Sequence, residues 1–128
     1  MFEAKEGETF LMPSPHGQKE HLYVIIADLD EQIVIVNFTT KREGSDTTVL
    51  LTPDDHPFIK IDTAVSFKDA LVAQKAKVID YVSKHSRSHS SASENLLDIL
   101  VEGAFTSSFT PQDVYDALDK RYPEDWIN

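Results

Sequence analysis

The stretch HLYVIIADLDEQIVIVNFTT (21–40) decides the fold. Two runs rich in valine and isoleucine, 21–27 and 33–40, flank the charged segment DLDEQ, a pattern that predicts a β-hairpin. β-Branched side chains lose rotamer freedom in a helix but pack well on a pleated surface. The pair 22–27 and 33–38 reads as apolar on both faces, so something must cover its outer side. A helix of the same chain or a second subunit would supply the outer cover.

Shorter strand signals lie on either side. ETFLM (8–12) comes before the hairpin, with the turn-prone PSPHGQKE (13–20) between them. TTVLLT (47–52) follows the loop KREGSD (41–46), and TAVSF (63–67), extended towards Leu71, follows the turn at His56. Several short strands joined by tight turns predict a small barrel or half-barrel. AQKAKVIDYVSK (73–84) reads as a bridging helix with Val78, Val82 and Tyr81 facing inward.

The composition changes at SKHSRSHSSASE (83–94), where six of twelve residues are serine, a solvated connection by its chemistry. Helical patterns follow. SASE (91–94) has capping-box spacing, with Ser91 as N-cap and Glu94 three residues on. Leu96, Leu97, Leu100, Val101 and Ala104 make one apolar stripe, and Gly103 is expected to end that helix. A last helix starts at TPQD, with Thr110 as N-cap and Pro111 at the first helical position. Val114, Leu118 and Tyr122 turn inward before Pro123. Stripes of this kind read as core, not as ligand pockets.

The chain has 128 residues, 41% hydrophobic and 27% charged, which suits one soluble domain with its own core. No apolar run reaches the roughly 20 residues that span a bilayer. The acidic start MFEAKEGETF has no secretory hydrophobic region, and cysteine is absent, so a cytoplasmic protein without disulfides or thiolate metal sites is expected. Net charge is −10, unevenly spread: residues 1–90 hold 14 acids against 10 bases, residues 91–128 hold 8 against 2. That field repels phosphate backbones and argues against general nucleic-acid binding. Lys41, Arg42, Lys60 and Lys68 still permit a local basic groove.

Three segments carry chemistry. FTTKR (38–42) leaves an apolar strand and places two hydroxyls beside Lys41 and Arg42, a set able to hold a phosphate. Threonine is also an ordinary strand residue, and bases commonly guard strand ends. His21 opens the hairpin and His56 lies in the Asp-Asp-His-Pro turn of TPDDHPFIKIDTAVSF (52–67). Two imidazoles can share general-base and general-acid duties near neutral pH, the division that metal-free RNA cleavage needs. The plainer reading of His56 is a hydrogen-bonded turn before proline. HSRSH (85–89) sets His85 and His89 four apart, yet a serine-rich linker gives a metal neither a third ligand nor a rigid frame, so no metal is assigned. No Gly-rich phosphate loop or nucleophile elbow is present.

The order of pieces in residues 6–72 resembles the PemK/MazF-like toxins, small SH3-like barrels that act as metal-independent endoribonucleases. The resemblance rests on EGETFLM for the first strand, HLYVII for the second, Phe38-Thr39-Thr40 ending the third, and TAVSFKDA later. It covers just over half of the chain. The sequence is also similar to bacterial proteins with a D-H-P-F-I turn and a GA-x-x-S segment, here GAFTSS (103–108). The family's threonine falls on Thr39, with Thr40 as its neighbour. The family's arginine falls at or next to His21, which replaces a fixed cation with a titratable group. The arginine and acid that some members carry later fall near Ser66 and Lys68, which do not reproduce them.

The combined expectation is an α+β protein. An SH3-like antiparallel barrel with its bridging helix fills 1–90, and an acidic helical extension, 91–128, packs on it in one compact domain. His21, Thr39 and His56 are the expected catalytic residues, with Thr40, Lys41, Arg42, Ser66 and Lys68 holding substrate. The resemblance implies single-stranded RNA as substrate, no cofactor, an antitoxin or other protein partner, and a homodimer. The alternative is a non-catalytic barrel that binds a protein partner. Residues 91–128 would either cover the barrel's basic face, as an antitoxin does, or complete the core; the stripe at 96–104 favours the core.

Overall fold

The computed structural model describes residues 2–13, 19–85 and 87–123. Most of the turn expected at 13–20, and the chain after Pro123, lie outside these residues. The protein is α+β. Its strands are β1 (Thr9–Pro13), β2 (Glu20–Asp28), β3 (Gln32–Thr40), β4 (Leu50–Leu51), β5 (Thr63–Gln74) and β6 (Ser88–His89). The helices are α1 (Lys75–His85), α2 (Glu94–Thr106) and α3 (Gln112–Arg121). All strand pairs are antiparallel, in the order β4-β5-β3-β2-β1-β6, and the sheet curls into a half-barrel. Register shifts at Ile25/Ala27 and at Ile35/Asn37 add twist where the curl is made.

The hairpin forms as its sequence predicts, and Asp30 supplies the left-handed turn residue at φ 76°. Both faces of β2 and β3 are buried. Ile25, Ile33 and Ile35 pack with Phe10, Tyr23, Val78 and Val82 under α1. Val24, Ile26, Val34 and Val36 pack with Leu96, Leu100, Val114 and Leu118 under α2 and α3. The chain's own helices therefore cover the outer face without a second subunit. The acidic extension completes the core, its two helices adding Leu96, Leu100, Val101, Ala104, Val114, Leu118 and Tyr122.

Several boundaries differ from the sequence reading. β4 keeps only two of the six residues expected, because Asp46 accepts hydrogen bonds from the Thr48 backbone N–H and hydroxyl and draws that segment into a local turn. β5 runs past Leu71 and passes directly into α1. The serine-rich connection is no free linker. β6 pairs with β1, the Thr9 hydroxyl donates to the Ser90 carbonyl at 2.7 Å, and Arg87 forks onto Glu20. His85 thus ends a helix while His89 sits in a strand, so their spacing has no helical meaning.

The N-cap of α2 is Ser93, which accepts from Leu96 N–H at 3.1 Å. Ser91 donates instead to Glu8 across the chain. α3 begins one residue later than expected, with Pro111 at the cap position, and the Thr110 hydroxyl donates to the Ala104 carbonyl. Gly103 does not end α2, which continues to Thr106. It lies tight against neighbouring side chains: a Cβ there would overlap Val49 Cγ2 and stand 2.8 Å from Phe67 Cζ. Glycine here serves packing rather than a turn.

Candidate functional site

A cleft of about 380 Å³ opens where the ends of β2 and β3 meet the turn after His56. His21 comes from β2, Thr39 and Thr40 from the end of β3, Arg42 from the loop beyond, and Lys60 from the turn. Phe58, Ile59 and Ile61 form an apolar wall, and Lys19 and Glu20 close the rim. Glu20 is the one acid among these lining residues, and it is paired with Arg87. In a chain of net charge −10, the cleft is locally positive.

His21 has a defined tautomer. Its Nδ1 lies 3.1 Å from the Phe38 carbonyl. A carbonyl only accepts, so Nδ1 carries the proton and donates it. The lone pair then sits on Nε2, which faces no protein donor among the described residues. A half-buried imidazole with a free Nε2 beside two hydroxyls and two cations can take a proton from a bound hydroxyl.

His56 is built the other way. It is 3% exposed. Its Nδ1 accepts from Phe58 N–H at 3.0 Å, so Nε2 is protonated and donates to the Ser90 carbonyl at 2.7 Å. Both ring nitrogens are spent on backbone groups. The turn continues with Ile59 N–H donating to the His56 carbonyl, and the Lys60 ammonium donating to the Pro57 carbonyl, each at 3.0 Å. His56 is not among the residues lining the cleft. It shapes the wall that presents Phe58, Ile59 and Lys60. His89 lies against it, with ring centroids 5.5 Å apart, and meets Phe58 edge-on. Burial first, then the nearby His56 and Lys60, hold the His89 pKa below its ordinary value of 6.5.

The expected residues therefore divide. His21, Thr39, Thr40 and Arg42 meet in one cleft. Lys41 is exposed outside it, its backbone N–H donating to the Asp62 carbonyl. Ser66 and Lys68 line a second cleft of about 310 Å³ that shares Thr39, Thr40 and Arg42 with the first. The sequence reading named Lys60 only as part of a possible basic groove, and it missed Lys19 and the wall of Phe58, Ile59 and Ile61 as parts of the cleft. The signal for Lys60 was present, because the Asp-Asp-His-Pro turn reverses the chain just before it. A wider hollow of about 840 Å³ beside the β2–β3 turn has no histidine or hydroxyl side chain in its lining and offers no comparable chemistry. Among the described residues no group of three or more metal-ligating side chains occurs. No helix among them is long and apolar enough to cross a membrane.

The chain matches no protein-family model, no curated protein and no solved structure.

Proposed function

We propose that the protein is a PemK/MazF-like toxin with an SH3-like barrel, a metal-independent endoribonuclease that binds single-stranded RNA in the His21 cleft. The observation that carries this reading is the convergence of His21, Thr39, Thr40, Arg42 and Lys60 in one positive cleft of an acidic protein. His21 Nε2 takes the proton of the ribose 2′-hydroxyl. The 2′-oxygen attacks phosphorus and the bond to the 5′-oxygen breaks, leaving a 2′,3′-cyclic phosphate. Arg42 and Lys60 balance the charge gathering on the phosphoryl oxygens, and Thr39 and Thr40 orient them. The leaving 5′-oxygen takes its proton from water, since the cleft is open and holds no second histidine among its lining residues. The cytoplasm, an antitoxin as protein partner and a homodimer belong to the same proposal.

A second reading is a non-catalytic barrel that holds a protein partner through this cleft. The commitment of His56 to backbone favours it, because one proton-transfer group stands where the chemistry prefers two. The test is to incubate the purified protein with a long mixed-sequence RNA in EDTA and map the new ends. Cuts at defined positions, abolished in His21→Ala, support the nuclease. Intact RNA with folded protein favours the partner-binding barrel.

A further inference from the structure

The second cleft has a feature that RNA cleavage alone does not use. Phe109, in the connection between α2 and α3, is 57% exposed and lies on the rim beside Thr40, Arg42, Ser66 and Asp69. Single exposed aromatics are common on surfaces. This one stands on a fixed base. The Ser107 hydroxyl donates to Asp46 Oδ2 at 2.7 Å and accepts from Phe109 N–H at 3.1 Å. Ser107 N–H closes α2 on the Gly103 carbonyl, and the Thr110 hydroxyl donates to the Ala104 carbonyl, each at 2.8 Å. The chain is thus tied on both sides of an apolar ring that is left in solvent.

We propose that this cleft holds a nucleobase stacked on Phe109, next to the phosphate bound in the His21 cleft. The inference rests on the RNA-binding reading above and names the part of the substrate that the second cleft receives. Thr39, Thr40 and Arg42 line both clefts, so a strand that places a phosphate in one brings its adjoining base to the other. Single-stranded RNA exposes base faces to aromatic side chains in this manner. The polar side of the cleft adds selectivity. The Ser66 hydroxyl donates to Asp69 Oδ2 at 2.6 Å, and the other Asp69 oxygen accepts no bond from the described residues. It is an acceptor for an exocyclic amino group, which cytosine, adenine and guanine carry and uracil lacks. Phe109 comes from the helical extension, which gives that extension a role beyond the core.

The test compares three labelled probes on the full chain: a short oligocytidylate, an oligouridylate, and an abasic oligomer with the same ribose-phosphate backbone. Phe109→Ala should weaken oligocytidylate binding about tenfold and leave the abasic probe unchanged, while Phe109→Trp retains affinity. Oligocytidylate bound equally by the wild type and Phe109→Ala would overturn the stacking site while leaving the phosphate cleft intact. Equal wild-type affinity for oligocytidylate and oligouridylate would remove Asp69 from it. A folded wild type that binds none of the probes would overturn the site together with the RNA-binding reading.

Discussion

The His21 cleft and the His56 turn lie next to each other and use the same side chain for opposite ends. His21 spends one ring nitrogen on a carbonyl, and the other makes no hydrogen bond among the described residues. His56 spends both on the backbone and is buried. In one region an imidazole is held by the fold; in the other the fold is held by an imidazole. Residue type and an attractive neighbourhood of acids do not separate these cases. The count of uncommitted ring nitrogens does.

The two histidines should differ most in stability. His56→Ala leaves the Phe58 N–H and the Ser90 carbonyl without partners and opens a cavity, so unfolding in urea should show a loss of about 3 kcal/mol. His21→Ala should cost no more than about 1 kcal/mol, since it removes one part-buried hydrogen bond. A His56→Ala protein as stable as wild type would return His56 to the candidates for chemistry. Next comes charge. Arg42→Ala combined with Lys60→Ala should lower the dependence of RNA binding on log salt by about 1.4, with little change in stability. An unchanged salt slope would move the phosphate site elsewhere.

A smaller effect is expected from pH. His89 packs on the His56 turn with its pKa depressed, so the unfolded chain binds a proton that the folded one resists. Its contribution is complete above 6.5, falls as pH drops below 6.5, and levels off below the folded pKa. Stability curves between about pH 8 and 5 should therefore slope less in His89→Ala than in the wild type. The smallest effect concerns the two central strands of the sheet. Tyr23 and Asn37 are cross-strand partners, and the Tyr23 hydroxyl is buried without a well-aligned hydrogen bond. Tyr23→Phe should leave the urea midpoint within about 0.5 kcal/mol of wild type or raise it.

Much of the fold was legible because it depends on local pattern. The hairpin, the inward faces of α1 and α3, and the burial of Leu96 and Leu100 follow from periodicity alone. What misled was competition between partners distant in sequence. Ser91 has ideal capping spacing, but Glu8 engages it across the sheet and Ser93 takes the cap. Gly103 looks like a helix end, yet the sheet at Val49 and Phe67 needs that position empty. The described serines of the serine-rich segment are exposed as its composition suggests, but Ser88 and His89 also pair with Phe10 and Thr9, which no local pattern shows. At the cleft, Thr39, Thr40 and Arg42 lie together as their spacing suggests, because a strand end keeps neighbours together. Lys60 joins the same cleft lining as His21 only through the tertiary path of the His56 turn, which no local pattern shows.

The most direct test of the account follows the two rings together. Histidine side-chain resonances of isotopically labelled protein would be recorded while a short single-stranded RNA is added. His21 Nε2 should shift with RNA concentration, while His56 keeps its Nε2-protonated signature throughout. A shift centred on His56, with His21 unmoved by saturating RNA, would contradict the account.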